Sequence, residues 1–251
     1  MPHLRFAAPS ERRAALVTGG ARGIGAAAAV RLAEAGRDIV IADLLASESA
    51  DTVGQIEALG QAALFVATDV RDQAAVRAAV AATMERFGRL DILVCCAGVL
   101  GAEKPFLEQS AAEFEDVMRI NVHGVYHAHQ AAVPHMLERG WGRTVTITSS
   151  ARRGTPNVTP YAVSKGAVYS LIGSLGSAWA DQNVFVNGVE PGRVLTEMVV
   201  PRFTPEFLAD PGVPLGRYAD ASELAEIIEM LCSERNTYTT GAVWSMRGKG
   251  G

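Results

Sequence analysis

Cysteine is scarce: three occur in 251 residues, and two of them, Cys95 and Cys96, are adjacent within an apolar run. That leaves no disulfide framework and no paired spacing of a structural zinc site, so the chain reads as one kept in a reducing, cytoplasmic setting. No charge of one sign dominates either, with 23 basic and 27 acidic residues spread along the chain for a net charge of −4. This excludes the basic footprint that nucleic acid or an anionic membrane surface would require. No apolar run reaches the roughly 18 residues of a membrane span. The opening MPHLRFAAPSERRA lacks the apolar stretch of a secretory signal, and residues 1–13 read as a flexible arm. Internal repeats, low-complexity tracts and domain linkers are also missing, which leaves residues 14–251 as one expected domain with small molecules as its partners.

What is present is a rhythm. Short apolar runs at 14–18, 38–43, 63–68, 91–96, 143–149, 184–190 and 242–246 alternate with alanine-rich stretches of helical period at 23–35, 47–59, 72–87, 110–138, 160–180 and 221–233. Seven strands and six helices in alternation predict an α/β fold, a doubly wound parallel sheet with helices on both faces. The exception is 195–218, which holds Pro201, Pro205, Pro211 and Pro214 and no clear period. A long irregular segment in a compact domain is usually functional, and this one is expected to border a substrate.

The first apolar run ends in TGGARGIG, Thr18 to Gly25, and passes directly into an alanine-rich helix. Glycines at 19, 23 and 25 permit a tight turn and let the backbone approach a pyrophosphate held by free helix N–H groups. Asp43, eighteen residues beyond Gly25 at the end of the second strand, could accept both hydroxyls of an adenosine ribose. A 2′-phosphate would meet like charge there, and Leu44 offers no basic partner, so NAD is favoured over NADP. Arg22 is the contrary sign. In YAVSK, Tyr161 and Lys165 stand four residues apart on a helix and so share a face, which directs a phenol and an ammonium at one spot.

With these motifs in this order, the chain resembles the short-chain dehydrogenase/reductase family over about residues 14–245. TGGARGIG resembles the family's glycine turn, ATDV (67–70) its stretch after the third strand, and INV (120–122) its asparagine segment. ITSS (147–150), YAVSK and EPGRVLT (190–196) complete the set. The resemblance implies a Rossmann-type domain that interconverts a secondary alcohol and its ketone. Tyr161 would be the general acid/base, Ser149 (or Ser150) would hold the substrate oxygen, and Lys165 would grip the nicotinamide ribose and assist the tyrosine. Asn121 would hold a water chain to Lys165. Gly19, Arg22, Gly23, Ile24 and Gly25 would meet the pyrophosphate, and Asp43, Asp69 and Val70 the adenosine. Ala97 and Gly98, then Pro191, Gly192, Val194 and Thr196, would border the nicotinamide side.

A phenol of ordinary pKa near 10 needs help worth roughly 4 kcal/mol to be half ionised at neutrality, and Lys165 together with the positive nicotinamide ring is expected to supply much of it. CCAG (95–98) stands where the family carries two asparagines; its thiols are expected to pack as small hydrophobes. His123 and His127 share a helix face but lack a third ligand, so no metal is expected. Arg152 and Arg153 beyond the serine, with Glu190 before Pro191, are candidate substrate contacts that would suit a polyol, sugar alcohol or hydroxy acid. A 3-oxoacyl thioester reductase and a non-catalytic dinucleotide-sensing or structural protein are the alternatives. By the same resemblance the helices at 110–138 and 160–180 should pair with copies of themselves, through faces carrying Ala128, Ala131, Ala132, Val168, Leu171 and Leu175, to give a homotetramer or a dimer.

Overall fold

The computed structural model describes residues 12–197 and 204–248. Each predicted apolar run becomes a strand: β1 (Ala14–Thr18), β2 (Asp38–Asp43), β3 (Ala63–Ala67), β4 (Ile92–Cys95), β5 (Gly142–Ile147), β6 (Val184–Pro191) and β7 (Val243–Met246). They form one parallel sheet in the order β3-β2-β1-β4-β5-β6-β7. The order reverses between β1 and β4, and in open sheets of this kind the crevice at that reversal, outside the carboxyl ends of the strands, is where ligands bind.

Between the strands run α1 (Gly23–Glu34), α2 (Ala46–Ala58), α3 (Gln73–Phe87), α4 (Ala111–Met118), α5 (Gly124–Arg139), α6 (Thr159–Ala178), α7 (Pro205–Ala209) and α8 (Ala221–Cys232). Strand side chains alternate between two cores. Val17, Ile39 and Ile41 meet Ala28 and Leu32 of α1 and Ile228 of α8 on one face. Leu16, Val40 and Leu93 meet Val80 of α3, Met136 of α5 and Ile172 of α6 on the other. With both faces covered, the strands can be continuously apolar, which is why the runs were visible in the sequence.

Three differences from the expected pattern bear on function. The helix expected at 110–138 is two helices joined by a π turn, Arg119–His123, that contains Asn121. β5 ends at Ile147 rather than 149, which frees Thr148 and Ser149 from the strand. The irregular segment at 195–218 contains the short helix α7, and Val194 bridges to Ala219; its residues 198–203 lie outside the described residues.

The proposed subunit faces are corrected too. Ala128, Ala132 and Val168 are fully buried against the sheet, whereas Ala131, Leu171 and Leu175 are half-buried, and Leu171 also lines an outer groove. The most exposed large apolar groups of α5 and α6 are Tyr126, Val163 and Tyr169. No described helix is long and apolar enough to cross a membrane.

Of the expected arm, residues 1–11 lie outside the described residues, but Arg12 and Arg13 are held. Arg13 lies over the Trp141 ring, 3.5 Å from its centroid, and pairs with both Asp91 and Glu234. Asp91 is completely buried; its Oδ2 accepts from the Ala14 amide at 3.0 Å and from Arg89 Nε at 2.7 Å. Removing one partner of a buried ion pair strands the other, at a cost of about 3–5 kcal/mol. Asp91→Ala should lower unfolding free energy by that order in urea titration while leaving the ligand cleft, at the opposite edge of the sheet, intact.

Candidate active site

The turn after β1 is shaped by contacts that only glycine permits. Gly19 has a φ of +68°, and a Cβ there would stand 2.5 Å from the Ala97 amide nitrogen; a Cβ on Gly25 would stand 1.9 Å from the Gly19 carbonyl oxygen. The start of α1 therefore sits directly on the ends of β1 and β4. Asp43 braces the turn from β2, its Oδ2 accepting from the Ala21 amide at 3.0 Å and its Oδ1 from Leu45 at 3.1 Å. No described side chain caps α1, and its first turn holds no acidic residue. By contrast, Asp72 caps α3, and capping boxes close α4 and α8. The first N–H groups of α1 are thus left for an anion.

A cleft of about 470 Å³ opens above this turn. Asp43 and Val70 flank one end, Ala97 and Gly98 form the floor, and Ser149, Tyr161 and Lys165 close the other end. Pro191, Gly192, Val194 and Thr196 descend on the far side, and Thr196 lies against Gly23. Gly19, Arg22, Ile24 and Asp69 also line the cleft, so every residue named for the dinucleotide borders it.

Ser149 is the N-cap of a 3-10 turn, Ser150–Arg153; its Oγ accepts from the Ala151 amide at 3.2 Å, and Ser150, its alternative, does not line the cleft. The Tyr161 side chain is half-buried and lines the cleft. Burial pushes its pKa up, and a hydrogen bond with Ser149 draws it partly back. Lys165 donates to the Ile147 carbonyl at 2.8 Å, and burial lowers its ammonium to about 8. Its Nζ lies 5.7 Å from the centre of the Tyr161 ring. Desolvation is the largest influence on the phenol in this structure.

Asn121 is completely buried in the π turn. Its Oδ1 accepts from the Val99 amide at 2.8 Å, and its Nδ2 donates to the Val99 carbonyl at 2.9 Å and to Ser164 Oγ at 3.0 Å. Ser164 in turn donates to the Tyr161 carbonyl at 2.7 Å. Asn121 thus ties the loop after β4 to the first turn of α6. Ser164 escaped the sequence reading although it stands inside YAVSK, as did Arg71, which also lines the cleft.

A model of the short chain dehydrogenase family matches residues 13–206. The 2-dehydro-3-deoxy-L-rhamnonate dehydrogenase (NAD(+)) of Sphingomonas sp. (strain SKA58) is 33% identical, with 97% of each chain covered. The 7alpha-hydroxysteroid dehydrogenase of Escherichia coli (strain K12) is 31% identical over 95% of this chain and 94% of its own. The chain belongs to the short chain dehydrogenase family. Among solved structures, carveol dehydrogenase from Mycobacterium avium in complex with NAD superposes with a TM-score of 0.91 at 28% identity, covering 97% of this chain and 99% of that one.

Within this family member, several charged groups are turned to one another. Arg71 holds the Asp69 carboxylate at 2.7 Å, which lowers its pKa, and also reaches Asp116 at 3.2 Å. Arg152 and Arg153 do not enter the cleft: both pair with Glu190, which is 1% exposed. The charge these residues offered a substrate is therefore met within the protein.

The histidines also have internal roles. His127 Nδ1 lies 3.1 Å from the Val70 carbonyl, and His129 bridges the Val125 carbonyl and Thr144 Oγ1. Among the described residues no group of three metal-ligating side chains forms.

Gly25→Ala would drive its methyl into the Gly19 carbonyl and open the turn. NADH titrated by fluorescence should bind at least about tenfold more weakly.

Proposed function

We propose that this protein is an NAD-dependent oxidoreductase that interconverts a secondary alcohol and its ketone, with Tyr161 as the general acid/base. The observation that carries the reading is the single cleft that joins the uncapped N-terminus of α1 to Ser149, Tyr161 and Lys165. Nothing structural requires all three side chains to line a cleft that opens on a helix N-terminus.

Bound NAD⁺ would supply the acceptor for the hydride leaving the carbinol carbon. The chain's own residues would do the rest. The Ser149 hydroxyl would bond the substrate oxygen and orient it toward Tyr161 Oη, which takes the hydroxyl proton in oxidation and returns it in reduction. Lys165, held at the Ile147 carbonyl, keeps an ammonium at the ribose end of the cleft at pH 7, below its pKa of about 8. Asn121, with all of its donor capacity spent on Val99 and Ser164, fixes the start of α6 and hence Tyr161.

NAD is favoured over NADP because the Asp43 carboxylate borders the adenosine end beside Leu44. Asp43→Ala should weaken NAD⁺ use by about 1.5–3 kcal/mol and relax discrimination against NADP⁺, read as the ratio of kcat/KM values. The loss also includes the two backbone amides that Asp43 braces.

For the substrate we favour a polyol, sugar alcohol or hydroxy acid. The support is the name of the Sphingomonas relative, a dehydrogenase of a deoxy-sugar acid; Arg152 and Arg153 lend none, since both pair with Glu190. Assembly as a homotetramer or dimer through the outer faces of α5 and α6, where Tyr126, Ala167 and Leu171 line a shallow groove, completes the reading and is tested by mass in solution.

The deciding experiment presents secondary alcohols, including a hydroxy acid and a steroid, with NAD⁺ and follows NADH. Tyr161→Phe keeps the ring and removes the proton acceptor; turnover should fall by about 10² or more with NADH binding retained. Undiminished turnover in that variant would move the chemistry to another group.

A further inference from the structure

Glu190 is the last side chain of β6 before the Pro191–Gly192 turn, and it is 1% exposed. Its carboxylate is shared by donors from two other segments. From the 3-10 turn that Ser149 caps come Arg152 Nε and, at 2.7 Å, Arg153 Nη1. From β7 and the residues just beyond it come Ser245 Oγ at 3.1 Å and Arg247 Nε at 3.3 Å. Burial alone would raise this carboxyl, but the hydrogen bonds from Arg153, Arg152 and Ser245 outweigh it and hold it below its ordinary range. Arg152 is fixed on its other side by Tyr169 of α6, whose ring centre lies 3.7 Å from the guanidinium carbon.

Two of these segments reach the cleft, and the third backs its wall. Arg152 N donates to the Ser149 carbonyl at 3.1 Å, so the turn gripped by Glu190 is the turn that sets Ser149. Gly192 N donates to the Met246 carbonyl at 2.8 Å, and a Cβ on Gly192 would stand 2.7 Å from the Arg247 Cα, so β7 and the Pro191–Gly192 turn are in direct contact. None of Glu190, Arg152 and Arg153 lines the cleft itself. A buried carboxylate with this many partners is costly to assemble, and a purely structural need at this point could be met by apolar packing.

We propose that Glu190 is a positioning residue of the reaction: through Arg152 and Arg153 it locks the turn that presents Ser149 to Tyr161, and through Ser245 and Arg247 it locks the Pro191–Gly192 wall opposite. The inference rests on the oxidoreductase reading above. It acts through Ser149, whose hydrogen bond favours the ionised phenol. The charged group on Tyr161's own helix is Lys165, which Glu190 does not touch, so a change at Glu190 reaches the phenol by geometry.

The test compares wild type, Glu190→Gln, Ser149→Ala and the double variant by steady-state oxidation with NAD⁺, with NADH affinity measured separately. Glu190→Gln keeps the side-chain volume and should lower kcat about tenfold or more, with NADH affinity changed less than about threefold. In the Ser149→Ala background the same substitution should cost several-fold less in kcat than in the wild type, because one of the two elements it positions has already lost its hydroxyl and only the Pro191–Gly192 wall is left to loosen. An equal fold-loss in both backgrounds, or a wild-type kcat in Glu190→Gln, overturns the proposal.

A second readout does not need turnover. The Tyr161 phenolate band, taken as the absorbance difference from Tyr161→Phe during alkaline titration of the NAD⁺ complex, should move to higher pH in Glu190→Gln; an unmoved band counts against the proposal. Should Glu190→Gln fail to fold, Arg152→Met removes one grip while Arg153 and Arg247 still neutralise Glu190, and Arg152→Lys should recover part of the kcat that Arg152→Met loses. Absence of any Tyr161-dependent turnover in the wild type would refute the oxidoreductase reading instead, and the phenolate titration would still report on Glu190.

Discussion

The Gly19 carbonyl lies where any side chain on Gly25 would have to stand. That contact brings the first turn of α1 down onto the ends of β1 and β4, at the point where the sheet changes direction. Everything in the cleft is referred to it. The floor at Ala97 is set by the same close approach to Gly19, the wall at Thr196 by the space left over Gly23, and the N–H groups open to the cleft by the uncapped helix above. A methyl group at either glycine would lift α1 away from a site that residues from β2, β4, β5, α6 and β6 all share.

Burial is the second organising constraint, and it works against the chemistry before it helps. Desolvation raises the Tyr161 phenol and lowers the Lys165 ammonium to about 8, so each is pushed toward its neutral form. Holding Lys165 charged at pH 7 despite a lowering of that size costs on the order of 3 kcal/mol relative to water. The sign follows from linkage: between about pH 8 and the ordinary lysine value the unfolded chain binds a proton that the folded one has released, so this group's penalty is present at neutrality and fades as pH rises. The Ile147 carbonyl offsets part of the cost, and the low dielectric that imposes it also strengthens every interaction the ammonium makes in the cleft.

The fold was legible because its signals are local. Strands buried on both faces must be apolar throughout, glycines at 19, 23 and 25 mark a turn that no other residue tolerates, and Tyr161 and Lys165 share a helix face by spacing alone. What could not be read depends on partners far apart in the chain. Arg152 and Arg153 looked like substrate contacts until Glu190, 37 and 38 residues later, took up their charge. Ala128, Ala132 and Val168 looked like a subunit face because periodicity tells which residues share a side, not whether that side meets the sheet or a second copy. The π turn that places Asn121 has no periodic signature. Just beyond it, Gly124 lets Val70 within about 3 Å of where a Cβ would be, a close approach between segments far apart in the chain.

The paired cysteines show how a departure in sequence can be absorbed by the electrostatics of the site. Cys95 stands level with Thr18 on one neighbouring strand and Thr146 on the other, and Cys96 follows it into the cleft beside Gly25. Burial pushes the Cys95 thiol up to about 12 and the Cys96 thiol higher still, so both remain neutral across the range in which Lys165 titrates. A thiolate at either position would raise the Lys165 pKa and hold its ammonium as a local ion pair. As neutral thiols they fill the sheet edge without competing for the lysine, and the backbone of Ala97 and Gly98 is free to form the floor. The site thus depends at this point on main-chain shape and on the absence of charge, and two small, protonated sulfur groups, one buried and one at the cleft, satisfy both.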